Sequence, residues 1–284
     1  MGFRQTIPGR FYTLVMAVWT TAGDRHIGLI AAGVAFFGMF AIFPGLAAII
    51  ALFGLLADPA VVAQQLDLMK EVIPEAAFGL ITAQVDRLLG AQTGTLGWAG
   101  LVSIALAVWA ARAGVAGLMG GLNAIANRPP RNGFKQALVA LTLTVVLVSL
   151  SIVAMLAVIV APLVLAFAPL ADRSAEVLDA IRWVVAFVVL YAALSLLYRF
   201  GPNQRGARVR WFTVGALTAI ILWFFASIGL SYYLSNFASY NEVYGSIGAV
   251  IGMLLWLYVS AYLILLGAAL NLQVHGRIAG GGQA

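Results

Sequence analysis

One charged side chain stands inside an apolar run where charge is costly. Arg112 lies sixteen residues after Leu96, in a stretch that carries no acid from Leu96 to Ala126. At 1.5 Å per helical residue that is about 24 Å of travel, which puts it in the inner half of a bilayer. A guanidinium there has two uses. It can face a polar cavity and meet an anion, a carboxylate or a lipid phosphate. It can also snorkel to the nearby headgroups or cap carbonyls of a neighbouring helix.

Two carboxamides, Asn123 and Asn271, lie toward the ends of the second and last apolar stretches. Side chains of this kind most often bond helix to helix in a membrane; their alternative role is to touch a ligand. A third polar set is SYYLSNFASYNEVYGSIG, residues 231–248. Its tyrosines fit an interfacial aromatic belt. A belt alone does not call for the compact run Tyr240, Asn241, Glu242, Tyr244, Gly245, so these residues are candidates for a gate or mouth. Pro44 belongs with them, because a proline inside a helix removes a hydrogen bond and favours a kink.

Enzyme chemistry finds no foothold. The chain has no cysteine and two histidines, His26 and His275, far apart in sequence. No metal-ligand spacing, nucleophile elbow, phosphate loop or paired intramembrane carboxylates can be read. The expectation is a protein that is not an enzyme and needs no metal or cofactor.

The elements that must position these residues follow from composition. Of 284 residues, 63% are hydrophobic and 9% charged, with mean hydropathy +1.02. Soluble domains carry about 25% charge, so lipid must solvate much of this surface. Six stretches are long enough to cross a bilayer, which takes about 20 apolar residues. They run from Gly28 to Ala57, Leu96 to Ala126, Ala137 to Pro169, Ile181 to Phe200, Trp211 to Leu234 and Ile247 to Leu272. The fold class expected is an all-α membrane protein with six transmembrane helices, forming a single domain over residues 1–284.

The connections alternate in charge. NRPPRNGFK carries Arg128, Arg131 and Lys135 without an acid, and RFGPNQRGARVR carries Arg199, Arg205, Arg208 and Arg210 without one. The loops between them are acidic or nearly uncharged. Basic loops remain on the cytoplasmic side, which places both termini there. The net charge of +6 is thereby accounted for without nucleic acid. Residues 1–27 are expected to include an interfacial helix over 8–24. The long outer loop, 58–95, repeats Val62, Leu66, Met69, Ile73 and then Ala77, Ile81, Val85, Leu88 at helical spacing. Two short amphipathic helices are expected, with Pro74 opening the second. Gly117 with Gly121, and Gly248 with Gly252, have the spacing that lets helix backbones approach closely.

Four segments carry a resemblance. They are AAGVAFFGMFAIFP (31–44), WAARAGVAGLMGGLNAIAN (109–127), LYRFGPN (197–203) and YNEVYGSIGAVIGMLLWLYVSAYLILLGAALN (240–271). Together they resemble the YihY/BrkB family of bacterial inner-membrane proteins. The loop NRPPRN departs from the pattern, in which an acid often accompanies the arginine, so the ion pair that pattern implies has no acid here. The resemblance implies a six-helix membrane fold and little settled function. Relatives have carried a ribonuclease label, which the residues here do not support, and a serum-resistance label. Some are linked to export or flipping of lipids or lipid precursors.

Three functions are therefore carried forward. The first is transport, flipping or export of an amphiphilic anionic substrate such as a lipid or lipid precursor. The second is a carrier for a small solute or ion. The third is an envelope scaffold without transport. The expected location is the bacterial cytoplasmic membrane, with membrane lipids as partners. Envelope protein partners and a homo-oligomer are left open by the sequence.

Overall fold

A computed structural model of the chain describes residues 7–56, 93–166, 174–203, 211–236 and 246–280. The described residues form seven helices and no strands. These are α1 (Ile7–Asp24), α2 (Ile27–Leu56), α3 (Thr93–Ile125), α4 (Gly133–Ala166), α5 (Ser174–Phe200), α6 (Val214–Asn236) and α7 (Ser246–Gly280). Six of them, α2 to α7, are long and apolar enough to cross a membrane. The spans expected from the sequence are all present as helices, with ends shifted by up to eight residues. The chain from 57 to 92, which holds nearly all of the expected outer hairpin, lies outside the described residues.

Local chemistry sets several helix ends. Thr213 caps α6: its hydroxyl accepts the N–H of Ala216 at 3.3 Å, and its carbonyl accepts that of Leu217. Such a cap satisfies donors that the first turn leaves bare, so α6 begins at Val214, later than the apolar run that opens at Trp211. At the end of α3, Asn127 takes φ 51°. The N–H of Arg128 reaches back to the Asn123 carbonyl, and that of Asn127 to the Ala124 carbonyl. This paired closure needs a left-handed residue, for which asparagine is the usual substitute for glycine. His26 plays a similar part between α1 and α2, also at φ 51°. Its N–H bonds to Gly23, and its carbonyl accepts from Ile30. One residue thus ends α1 and starts α2.

The chain divides into two compact units. One comprises Met1–Phe37 with Arg112–Ala284, the other Gly38–Ala111. In the described part of the second, α2 continues through Pro44 as helix to Leu56. Large apolar side chains there, among them Phe40, Phe43, Trp98, Leu101 and Trp109, are exposed, as lipid-facing surface would be.

The first unit holds the main core: Val18, Ala22, Ile27, Ala31, Leu118, Leu122, Leu194, Leu197, Tyr198, Ala216, Ala219, Ala261, Leu265 and Ala269. Many are small, which suits lipid, where close backbone approach drives helix association. Gly117 and Gly121 receive Val34 and Ile30 of α2, and Gly121 also receives Leu265 of α7. The expected close contact at this glycine pair is present. A second cluster, Met119, Ala140 and Leu143 with Phe200 against it, joins α3, α4 and α5.

Among the described residues the helix pair α6–α7 is the most extensively packed, and it runs antiparallel. A Cβ at Gly215 would fall on the carbonyl oxygen of Gly267, and one at Gly267 would strike the Tyr198 hydroxyl and Ala219. Farther along the pair, Trp223 Nε1 donates to Ser260 Oγ at 2.9 Å and Trp256 Nε1 to Ser227 Oγ at 3.4 Å. The two indoles meet edge to face at 5.9 Å. Each helix contributes a tryptophan and a serine four residues later, and each tryptophan finds the other helix's serine.

The first helix is not a free surface element. Val18 and Ala22 are buried in the core, α1 packs on α7, and Gln273 Nε2 donates to Thr21 Oγ1 at 3.0 Å. Its other side leaves Tyr12, Val15, Met16 and Trp19 exposed, an apolar face suited to a bilayer interface.

Candidate functional site

Most of the described polar ties between segments gather at one end of the first unit, where α3, α5 and α7 finish and α2, α4 and α6 begin. The two basic loops meet there. Arg131, in the loop before α4, donates to three consecutive carbonyls: Phe200 at 3.0 Å, Gly201 at 2.7 Å and Pro202 at 2.6 Å. These are carbonyls that the end of α5 leaves without helical partners, and a cation there also suits the helix dipole. Burial pulls the Arg131 pKa below the ordinary arginine value, a value so high that the group stays charged.

Asn123 ties the same corner from α3. It is buried, and its Oδ1 accepts the backbone N–H of Asn203 at 2.7 Å, while Asn203 Nδ2 donates to the Pro129 carbonyl. The Nδ2 of Asn123 has no partner among the described residues. Gly201 is pressed so closely onto this corner that a Cβ would meet the Leu197 carbonyl and, at 2.8 Å, Leu122. Arg25 adds a weaker link, to Asn127 Oδ1 at 3.3 Å.

Asn271 does for α6 and α7 what Asn123 does for α3 and α5. It is buried, and its Oδ1 accepts the N–H of Gly215 at 2.7 Å. Tyr198 on α5 donates to the Ile264 carbonyl of α7 at 2.6 Å. Tyr191 accepts the Thr213 N–H at 2.9 Å, and Ser195 donates to the Trp211 carbonyl at 3.0 Å. Both asparagines thus occupy helix-tying positions, with their oxygens engaged by backbone donors.

Arg112 is separate from this web. It is half-buried near the middle of the apolar stretch Gly100–Ile125 of α3. Among the described residues it makes no hydrogen bond or ion pair. Pro44 lies on α2 in the other unit. Tyr240, Asn241, Glu242, Tyr244 and Gly245 lie outside the described residues.

Sequence reasoning left out Arg131, Tyr198 and the Gly215–Gly267 contact. A signal for the last was present, since Gly215 and Ala219 form a small-residue pair four apart.

Apolar hollows open on this unit among the described residues, two of which are well defined. One, about 700 Å³, lies between α5 and α6 and is lined by residues including Phe187, Val188, Tyr191, Ala192, Trp211 and Leu217. The other, about 440 Å³, lies among α1, α6 and α7, with Val15, Trp19, Leu222, Leu266 and Leu270 in its wall. No group of three or more metal-binding side chains occurs among the described residues.

The pattern of the family described as "Virulence factor BrkB" matches residues 18–283. The ribonuclease-like protein YfkH of Bacillus subtilis is 31% identical over 251 residues, covering 87% of this chain and 89% of its own. UPF0761 membrane proteins of Xanthomonas campestris and Xanthomonas axonopodis are 38% identical over 94 residues, or 33% of this chain, and the match spans 22% of their length. No solved structure matches. With its six apolar spans and a family match over nearly its whole length, the chain belongs to the BrkB family of integral membrane proteins.

Proposed function

We propose that this protein moves an amphiphilic anionic substrate, a lipid or lipid precursor, across a bacterial cytoplasmic membrane, and that Arg112 receives its headgroup. The observation that carries the reading is the position of Arg112: a guanidinium half-buried mid-span, with no hydrogen bond or ion pair among the described residues. A charge at that depth is costly unless a counter-charge or a hydrated cavity compensates it, and a phosphate or carboxylate supplies the counter-charge through paired N–H donors. The apolar walls of both hollows favour a substrate with acyl chains over a small polar solute. The basic end then faces the cytoplasm, with both termini there.

The test is translocation of headgroup-labelled lipids by the purified protein in liposomes. Anionic and zwitterionic lipids are compared for the native chain, Arg112→Lys and Arg112→Ala. The expected result is movement that favours the anionic lipid, survives in part in the lysine variant and is lost in the alanine variant. Full movement by Arg112→Ala would overturn the headgroup role.

A further inference from the structure

We propose that the corner between α3, α4 and α5 binds a buried water, which bridges the Asn123 carboxamide on α3 to the Gln136 carboxamide on α4. The site does not depend on the transport reading.

Two polar atoms here are shut off from solvent and have no hydrogen-bond partner among the described residues: Asn123 Nδ2 and Gln136 Oε1. The identity of the first is fixed. The other end of the Asn123 carboxamide accepts the Asn203 N–H at 2.7 Å. Only the oxygen can accept, so the bare end is the nitrogen, a donor. The bare end of Gln136 is an acceptor.

Register brings the two residues to one level. Met119 on α3 clusters with Ala140 and Leu143 on α4, and Val115, Ala116, Val139 and Phe200 pack against them. The short connection 126–132 makes α3 and α4 an antiparallel hairpin. One helical turn from Met119 toward that connection is Asn123, and one turn from Ala140 toward it is Gln136.

The chemistry of the pair selects the ligand. An amide N–H turns away a cation, and a carbonyl oxygen turns away an anion. A water offers a lone pair to the first and an O–H to the second. Buried waters take about two to four polar partners, and two converge here. Both residues lie within apolar spans, Gly100–Ile125 and Gly133–Val153, where lipid supplies no hydrogen bond and a bare polar atom is costly. The water also adds a third tie at this corner. Arg131 joins the start of α4 to the end of α5, and Asn123 joins α3 to Asn203. The water joins α3 to α4.

The experiment is nuclear magnetic resonance of the full-length protein in detergent, isotope-labelled at asparagine. It reads rotating-frame cross-relaxation between the Asn123 side-chain amide protons and water, whose sign separates a bound water from proton exchange. The resonance is assigned by its loss in Asn123→Ser, and Gln136→Met and Gln136→Glu are run alongside. Expected are a bound-water cross-peak in the native chain, its loss in Gln136→Met, which has no strong acceptor, and its retention in Gln136→Glu, which keeps one. A native spectrum without that cross-peak, or a cross-peak that persists in Gln136→Met, overturns the proposal. Cross-peaks to the headgroup protons of added phosphatidylglycerol in place of water overturn it in favour of a lipid hydroxyl. Gln136 is partly exposed on the first turns of α4, which suits it to substitution. If Gln136→Met fails to fold, the native spectrum still decides whether a water is bound.

Discussion

Gly215 and Gly267 meet backbone to backbone where α6 begins and α7 nears its end, and a Cβ on either would strike the other's carbonyl oxygen. Overpacking of a tight core commonly costs about 1–3 kcal/mol, and here the opposing atoms are backbone, which yields little. Gly215→Ala and Gly267→Ala are each predicted to lower the thermal midpoint in detergent. Gly229→Ala, on the same helix but with open space at its Cβ position, should instead raise stability by up to about 1 kcal/mol through helix propensity. A neutral Gly267→Ala would show that the helices can separate at no cost.

Loss of the Asn123 side chain leaves the Asn203 N–H without its acceptor. An unsatisfied buried group costs about 1–3 kcal/mol. Asn123→Ala should therefore unfold earlier in a melting assay by that amount. If the midpoint stays put, the corner between α3 and α5 is held by other contacts.

Arg131→Ala removes donors to three carbonyls at once and should cost more than Arg131→Lys, which retains a point charge without the planar fork. Each bond to a charged donor contributes about 1.5–3 kcal/mol, and the three share one side chain, so the total stays below their sum. The pH response has a definite sign. Burial lowers the folded pKa, so stability rises only as pH climbs through that folded value, where the unfolded chain holds more protons. For arginine that window lies far into alkali, so Arg131 should add no slope between about pH 5 and 9. A melting midpoint that differs between native and Arg131→Lys protein in a pH-dependent way over that range would contradict this.

The reciprocal pairs Trp223–Ser260 and Trp256–Ser227 can be weighed by double-mutant cycles. Interhelical hydrogen bonds within membranes average about 0.6 kcal/mol of coupling. The cycle Trp223→Phe with Ser260→Ala should return about that value, and the longer pair, Trp256 with Ser227, less. Equal couplings would mean that the distances do not rank the bonds.

The architecture was largely open to sequence reading because membranes impose a length rule. Each of the spans had to be about 20 apolar residues, and each was found. The glycine pair at Gly117 and Gly121 was legible for a similar reason: its spacing is a property of one helix. Asn123 and Asn271 were recognisable as polar residues in apolar helices, but their partners were not. Those partners, the N–H groups of Asn203 and Gly215, depend on how helices distant in sequence come into register. Arg131 was hidden for the same reason. In sequence it is one base among several in a charged loop, and only the folded chain shows it closing the end of another helix.

The contact between Gln273 and Thr21 spans 252 residues, and it bears on how the protein is made. The last helix supplies Asn271, Leu265, Gly267 and the Ile264 carbonyl, all of which earlier helices need. A ribosome that has released α1 to α6 has therefore delivered an unfinished bundle: the Gly215 N–H and the Tyr198 hydroxyl still await their acceptors. Packing must stay provisional until α7 inserts, so chains truncated before it should be degraded faster than chains that carry it.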